Sequence, residues 1–326
     1  MFNEEEFDLQ KLQGDASTRS YFRMISKNPQ HTPSSLILMK KGEPVNEGDD
    51  DFLRVREFLS TNSISVPSLY SVNADKGFIY IEDCGDTLLE EVVQNGGTSE
   101  IKKHYPAVID ILVAMQVDCT KNLSKENPLY SRVTSRRFDI AKYMFELNHT
   151  VKWFIKGHLR KSLSPMDEKR LDGIFHKLID PLENEPMVFT HRDYHSRNIM
   201  VKNGDYFILD FQDAMMGPLQ YDLASLLYDS YVRLEDETRE KLIGYYLGRV
   251  EITDEAEKLI FLDTLYRVAL QRNLKALGTF GYQAVERKNL LYLQYVPATI
   301  AYIRTNLYKV SDISNEAKWI ISLLEE

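Results

Sequence analysis

Two apolar runs on either side of an Asn-Gly pair give the chain its clearest pattern of hydrophobic and polar positions. Residues 199–201 (Ile-Met-Val) precede Asn203-Gly204, and residues 206–209 (Tyr-Phe-Ile-Leu) follow it. Asn and Gly adopt the positive φ angles that a two-residue turn requires, and this pair between apolar runs is the strongest short-range signal of a β-hairpin. We therefore predict two antiparallel strands joined by this turn.

The register of the hairpin brings two potential metal ligands together. With a two-residue turn, Lys202 faces Asp205 and, further out, Asn198 lies opposite Leu209. Asn198 and Asp210 then end side by side at the open end of the hairpin. An amide oxygen and a carboxylate are hard ligands, which suit Mg²⁺ better than a softer metal. The pattern predicts a magnesium site at this end.

The first 84 residues combine strand patterns with one helix. Apolar runs at 36–39 and 77–81 predict strands. Between them, three aspartates at 49–51 precede apolar residues at helical spacing, which predicts a helix that begins with acidic side chains. From Gly85 onward the pattern is mainly helical. We therefore place a domain boundary there, with an α/β domain at 1–84 and a mostly helical domain at 85–326.

Two pairs of charged residues lie in predicted helices of the second domain. Asp222 and Asp229 are seven positions apart, so they are expected to share a helix face. Arg272 and Lys275 are three positions apart in a helix at 262–277 and form a basic patch on one face. Each pair also fits an ordinary solvated helix face.

Composition is that of a globular protein and excludes several functional classes. The chain has 326 residues, a net charge of −9 and a pI near 5.4, which argue against a nucleic-acid or anionic-membrane surface. Cys84 and Cys119 have no metal-ligand spacing and suit a reducing cytosol. The acidic N-terminus does not resemble a signal peptide, and no run approaches the roughly 20 apolar residues of a membrane span. We expect a soluble cytoplasmic monomer.

A catalytic-loop pattern immediately precedes the hairpin. His191-Arg192-Asp193 is followed by Asn198 at the spacing of the kinase loop H-R-D-x-x-x-x-N, in which Asp accepts a hydroxyl proton and Asn holds metal. Asp210 stands where kinases carry a second metal ligand, although Phe211 is followed here by Gln. An ordinary hairpin with solvated polar ends is the alternative, but it does not explain why both aspartates, the asparagine and the turn coincide.

With these motifs in place, the chain resembles the aminoglycoside phosphotransferase/choline kinase family. The HxDxxxxN loop, the ILDFQD segment and the later GPLQYDLA segment match that family. The resemblance implies an α+β, protein-kinase-like bilobal fold, with a small five-stranded lobe, a hinge and a helical lobe. Five blocks, including GDASTRSYFR and QRNLKALG, look like the bacterial anomeric sugar kinases, which phosphorylate N-acetylmuramate and N-acetylglucosamine at C1 during cell-wall recycling.

The resemblance implies roles for residues of the catalytic loop and the hairpin. Asp193 is the catalytic base, and Asn198 and Asp210 hold the Mg²⁺ that accompanies ATP. We interpret His191 as a structural histidine that braces the loop, and Asp222 also as structural. Three further residues are expected to bind the acceptor sugar: Asp213, Asp229 and Arg272. The guanidinium of Arg272 is also suited to the lactyl carboxylate of N-acetylmuramate.

Nucleotide binding falls to the first domain. A small-residue loop around Ser17 is expected to cover the phosphates with backbone N–H groups. Either Lys40 or Lys41 pairs with the phosphates, with Lys40 preferred, and Asp51 or Glu57 offers the helix carboxylate that pairs with this lysine. The segment after the 77–81 strand is expected to hold the adenine and contributes three residues: Glu82, Asp83 and Cys84.

Two alternatives to an amino-sugar kinase remain open. A pseudokinase would bind nucleotide without turnover, which the presence of all three reactive residues disfavours. Another small-molecule kinase of the family, acting on an aminoglycoside, choline or a different metabolite, is the nearer alternative. Cationic acceptors call for an acidic pocket, and Arg272 and Lys275 near the site would oppose them.

Overall fold

The computed structural model describes residues 4–12, 19–28, 30, 32–127 and 129–325. The chain divides into two compact units, one formed by Met1–Leu89 with Asn198–Asp213 and the other by Glu90–Arg197 with Ala214–Glu326. The sequence boundary at 84/85 assigned the hairpin to the second domain, whereas the structure groups it with the first unit. Among the described residues, no helix has the length and apolar character needed to cross a membrane.

The first unit is built on an antiparallel sheet and one helix. The strands of the sheet lie in the order β1 (Phe7–Lys11), β2 (Ser20–Ser26), β3 (Ser35–Lys40), β5 (Phe78–Glu82) and β4 (Leu69–Asn73). Alternation along β3 places Leu36, Leu38 and Lys40 on one face, where the two leucines join a buried cluster with Phe7 and Tyr80. The helix, α1 (Asp51–Thr61), lies between β3 and β4 in the chain.

The predicted hairpin is confirmed in turn and register. Strands β7 (Ile199–Lys202) and β8 (Asp205–Ile208) pair with Lys202 opposite Asp205. Asn203 and Gly204 have φ angles of 55° and 89°, the positive values that the two-residue turn requires. Backbone hydrogen bonds to Thr87 and Ser65 attach both strands to the first unit, which explains why the hairpin groups there.

The second unit is mainly helical, with one short two-stranded sheet. Strands β6 (Met187–Thr190) and β9 (Met215–Pro218) pair antiparallel at the base of the catalytic loop. Its helices are α2 (Leu89–Ala114), α3 (Thr120–Asn122), α4 (Tyr130–Ser135), α5 (Ile140–Thr150), α6 (Pro165–Ile179), α7 (Gln220–Leu227), α8 (Asp236–Arg249), α9 (Glu255–Val285), α10 (Val296–Leu307) and α11 (Ala317–Leu324).

Helix α9 is the longest element and packs against α5, α7 and α10. Two glycines let α9 come close to α5 and to the helical segment Val151–His158 that directly follows α5. A Cβ on Gly278 would lie 2.8 Å from Thr150 Oγ1, and one on Gly281 would lie 2.5 Å from the carbonyl oxygen of Trp153. Thr150 Oγ1 also donates a 2.6 Å hydrogen bond to the carbonyl oxygen of Leu274. This close approach fixes the position of the charged residues that α9 presents to the catalytic loop.

The predicted shared helix face of Asp222 and Asp229 is wrong. Helix α7 ends at Leu227 with Tyr228 as its C-cap, so Asp229 lies beyond the helix. Asp222 lies within the first turn of α7. The seven-residue spacing is helical in period, but it extends past the residue at which the backbone leaves the helix.

Candidate active site

Asp222 fixes the start of the catalytic loop in the second unit. Its carboxylate accepts hydrogen bonds from the backbone N–H groups of His191, at 2.6 Å, and Arg192, at 2.9 Å. Asp222 is 0% exposed, and burial raises the pKa of its carboxyl group. Two charge-assisted bonds to backbone donors offset much of the cost of burying this carboxylate. The loop therefore leaves β6 in one defined direction.

Backbone strain at the next residue turns the chain toward Asp193. Arg192 has a φ of 80°, in the left-handed region that a residue with a side chain seldom adopts. The N–H of Asp193 then donates to Nδ1 of His191 at 3.3 Å, and the His191 ring is fully buried. Strained residues of this kind persist where surrounding contacts hold them and cluster at functional sites. His191 therefore contacts the loop as a bracing side chain would.

Asp193 faces two cations from α9. Its Oδ1 lies 3.4 Å from Lys275 Nζ and 3.7 Å from Arg272 Nη2, because these residues lie on the same side of the helix. Burial alone would raise the pKa of Asp193, but Lys275, Arg272 and Arg192 together hold it well below its ordinary value. The side chain remains 34% exposed. Asp193 is therefore an ionised, accessible carboxylate.

Arg272 was predicted to bind the acceptor, but its guanidinium is engaged within the protein. It donates to the carbonyl oxygen of Arg192 and, at 2.6 Å, to Ser225 Oγ. It also lies 4.5 Å from the ring centroid of Tyr221, and its side chain is 11% exposed. Satisfying a loop carbonyl and stacking on an aromatic ring leave this side chain little freedom. We therefore propose that Arg272 holds the catalytic loop in place and does not bind the acceptor.

Asp229 was also predicted to bind the acceptor, and its contacts point to the same bracing role. Oδ2 accepts hydrogen bonds from the backbone N–H of Ser196 at 3.0 Å and from its hydroxyl at 2.6 Å, while Oδ1 accepts from Tyr231 N–H at 2.8 Å. Asp229 is 3% exposed, and burial raises its pKa to about 6. A buried carboxylate with three donors is not open to a sugar. We therefore propose that Asp229 holds Ser196 at the far end of the catalytic loop and does not contact the sugar.

Sequence reasoning did not single out two residues near Asp193. The backbone N–H of His195, two positions later in the loop, donates to the carbonyl oxygen of Asp193 at 3.0 Å. Burial lowers the pKa of His195 to about 3, so its ring is neutral. Glu146 on α5 is buried, accepts from Gln271 Nε2 at 2.8 Å and lies 4.0 Å from Lys275. No local spacing in the sequence indicates either residue, whereas the helical spacing of Lys275 from Arg272 did identify Lys275.

The end of the hairpin, in the first unit, carries Asn198 and Asp210. Leu209 N–H donates to the carbonyl oxygen of Asn198 at 2.9 Å, so the pairing continues beyond the strands as predicted. Asp210 has a φ of 59°, and its Oδ1 accepts from Gln212 Nε2 at 2.7 Å. Phe211 stacks on Phe52 of α1 with ring centroids 5.0 Å apart, which anchors this segment.

The residues at the end of the hairpin fit a magnesium ion. Among the described residues, no group of three or more His, Cys, Asp or Glu side chains could hold a metal. Mg²⁺ at phosphate sites does not need such a cage, because it is commonly bound by one or two carboxylates together with phosphate oxygens and water. The carboxylate of Asp210 and the amide of Asn198 supply oxygen donors of that kind. Asp213, which follows them, is exposed.

Lys40 and Lys41 have different surroundings in the first unit. Lys40 Nζ lies 5.0 Å from the ring centroid of Phe22 and 4.5 Å from that of Phe78. Lys41 forms an ion pair with Asp50, which is buried and also accepts from Leu53 N–H as the N-cap of α1. The acidic partner of Lys41 is thus Asp50, a residue that the sequence analysis did not propose for this role. We therefore propose Lys41, in place of Lys40, as the phosphate-binding lysine.

Replacing Lys41 with Met should raise KM for ATP by about 10- to 100-fold, because a hydrogen bond to a charged group contributes about 1.5–3 kcal/mol. Lys40→Met is the matched control and should leave KM close to the wild-type value. Steady-state kinetics measures both, and thermal unfolding shows whether Asp50 destabilises the variant once its partner is lost. A rise in KM for Lys40→Met alone would return the role to Lys40.

The remaining nucleotide candidates in the described part of the chain lie at the last residue of β5 and directly after it. Arg23 holds the Asp83 carboxylate at 2.8 and 3.0 Å, and Lys202 Nζ donates to the Asp83 carbonyl oxygen at 2.8 Å. Glu82 accepts from the Ser68 hydroxyl at 2.9 Å, and Cys84 is buried. These side chains fix the segment, so a base bound here would meet its backbone. Ser17 lies outside the described residues.

Known proteins similar to this chain agree with the geometry. The model of a family described as "Phosphotransferase enzyme family" matches residues 8–259. An N-acetylmuramate/N-acetylglucosamine kinase of Neisseria meningitidis serogroup B is 28% identical over 311 residues, which cover 93% of this chain and 87% of that protein.

Two solved structures show the fold. An ethanolamine kinase of Plasmodium vivax has a TM-score of 0.62 at 17% identity, covering 96% of this chain and 84% of that chain. Aminoglycoside phosphotransferase APH(2'')-Ib, with ADP bound, has a TM-score of 0.57 at 15% identity, covering 93% and 94%. The predicted protein-kinase-like fold class, a small antiparallel sheet followed by a mainly helical region, is confirmed.

Proposed function

The chain belongs to the phosphotransferase enzyme family, and from this premise we propose that it transfers a phosphoryl group from ATP to the anomeric hydroxyl of an N-acetylated amino sugar. It is a small-molecule kinase. The observation that carries the proposal is the catalytic loop, which holds Asp193 ionised and accessible at the position from which a kinase base acts.

Asp193 is the proposed base. Its low pKa makes it a weak one, which suits an acceptor hydroxyl that is more acidic than an ordinary alcohol. The C1 hydroxyl of a reducing sugar is of that kind. Phosphoryl transfer also places little demand on the base, because its transition state is largely dissociative and is stabilised chiefly by positioning and by positive charge. Asp193 therefore orients the C1 hydroxyl and takes its proton as the bond from the C1 oxygen to the γ-phosphorus forms and the bond from that phosphorus to the oxygen of the ADP leaving group breaks.

Asn198 and Asp210 are the residues that would hold Mg²⁺. When bound, the ion would supply positive charge that offsets the negative charge developing on the phosphates. Lys41 is the proposed ligand of the phosphates, with Asp50 holding its ammonium group in place. The backbone of the segment from Glu82 to Cys84 is the proposed adenine site.

The identity of the acceptor is supported by the name of the Neisseria relative and by charge. Aminoglycosides and choline are cations, and the cations around Asp193 would repel them. A polar, uncharged or anionic acceptor meets no such repulsion. Asp213, which is exposed, is proposed to contact the sugar.

The proposal is tested with acceptors whose C1 hydroxyl is blocked. We expect the enzyme to phosphorylate N-acetylmuramate and N-acetylglucosamine with ATP and Mg²⁺ and to leave both 1-O-methyl glycosides unreacted. A kinase acting at C6 would accept the glycosides, since their C6 hydroxyl is intact. Equal transfer to free sugars and glycosides would exclude C1, and efficient transfer to choline or an aminoglycoside alone would replace the acceptor class.

A further inference from the structure

The surroundings of Asp193 carry an excess of positive charge in an acidic protein. We call these surroundings the Asp193 charge cluster and define it by seven residues: Lys142, Glu146, Arg192, Asp193, Asp222, Arg272 and Lys275. Lys142, Arg192 and Lys275 lie 3.7, 3.9 and 4.0 Å from Glu146. Four cations against three carboxylates leave one positive charge, although the whole chain has a net charge of −9. The cluster therefore favours an anionic ligand.

Two members of the cluster are committed to internal structure. Asp222 binds backbone N–H groups of the loop. Arg272 donates to the carbonyl oxygen of Arg192 and to Ser225 Oγ and stacks on Tyr221. Moving the Arg272 guanidinium to a ligand would leave a loop carbonyl and a buried hydroxyl without their donors.

Lys275 has donors to spare and, unlike Lys142, lies beside Asp193. Its ammonium group has three protons, yet within the described part of the chain it makes one hydrogen bond, a long one of 3.4 Å to Asp193. Its other close carboxylate, Glu146, is 4.0 Å away. The side chain is 21% exposed, so it can be reached from solvent. A long, flexible lysine in this position can take a third partner at a normal hydrogen-bond distance without losing an existing one.

We propose that Lys275 determines acceptor specificity by binding a carboxylate carried by the acceptor sugar. This inference rests on the proposed amino-sugar kinase function and extends it to the charged substituent. A carboxylate at Lys275 completes the donors of the ammonium group and balances the positive charge of the cluster.

The test compares N-acetylmuramate with its methyl ester, which keeps the shape of the acceptor but removes its charge. We expect the wild-type enzyme to prefer the acid by about 10- to 100-fold in kcat/KM, the range for a hydrogen bond to a charged group. Lys275→Gln should lower the acid-to-ester ratio to near one, and Lys275→Arg should retain most of the preference. Lys258→Gln, at a half-buried position near the start of α9 where Lys258 pairs with Glu255, should keep the wild-type ratio.

Two results would overturn the inference. The first is a wild-type enzyme that accepts acid and ester equally, a comparison that does not depend on any variant folding. The second is a Lys275→Gln enzyme that keeps the acid preference because acid and ester lose activity by the same factor or not at all, and an equal loss would confine Lys275 to positioning Asp193. In each case transfer to amino sugars persists. Absence of transfer to any amino sugar would instead overturn the proposed function, and this inference with it.

Discussion

Replacing Asp193 with Asn should lower kcat by about 10²- to 10⁴-fold, the usual contribution of a general base. The amide keeps the shape of the side chain but cannot accept the acceptor proton as a carboxylate does. KM for ATP should change little, because Asp193 belongs to the catalytic loop and its contacts are with Lys275, Arg272 and the loop itself. Steady-state kinetics on the best amino sugar measures both quantities.

A control is needed because Asp193→Asn leaves the nearby cations with less negative charge. Asp172→Asn changes the same side chain at an exposed position on α6 and should have wild-type kinetics. Thermal unfolding of both variants separates a loss of fold from a loss of chemistry. A folded Asp193→Asn enzyme with near-normal kcat would show that Asp193 is not the base.

Replacing Asp210 with Asn should lower kcat by at least about 10²-fold, because a bound metal supplies several kcal/mol of charge stabilisation to the transition state. The variant should also need more Mg²⁺ to reach its own maximal rate, since the negative charge of the metal ligand is lost. Measuring the rate against Mg²⁺ concentration at saturating ATP separates weaker metal binding from a lower maximal rate.

Asp205→Asn is the matched control for Asp210→Asn. Asp205 lies at the turn of the same hairpin, at the opposite end from Asp210, and is exposed. Its replacement should leave the Mg²⁺ dependence unchanged. If Asp210→Asn binds Mg·ATP and turns over like the wild type, Asp210 is not a metal ligand.

The hairpin could be predicted from sequence because its information is local. Asn203-Gly204 sets the turn, alternation sets the faces, and together they fix the register out to Asn198 and Leu209, as the structure confirms. The spacing of the catalytic loop is local in the same way. The partners of the hairpin residues were therefore predicted correctly.

Features that depend on distant contacts were predicted less well. Lys40 and Lys41 are adjacent, and only the packing of α1 shows that Lys41 pairs with Asp50. Arg272 and Asp229 were identified as charged residues near the site, but sequence does not show that Ser225 and Ser196 already occupy them. The roles of such residues follow from burial and partners, which arise when helices far apart in the chain come together.

The position of the phosphate in the product is the most direct test of transfer to the anomeric hydroxyl. After incubation of the enzyme with N-acetylglucosamine, ATP and Mg²⁺, phosphorus-31 NMR with proton correlation identifies the sugar carbon that carries the phosphate. We expect a sugar 1-phosphate, with phosphorus coupled to the anomeric proton, and formation of this product about 10²- to 10⁴-fold more slowly with Asp193→Asn. A sugar 6-phosphate, with phosphorus coupled to the C6 protons, would contradict transfer to the anomeric hydroxyl.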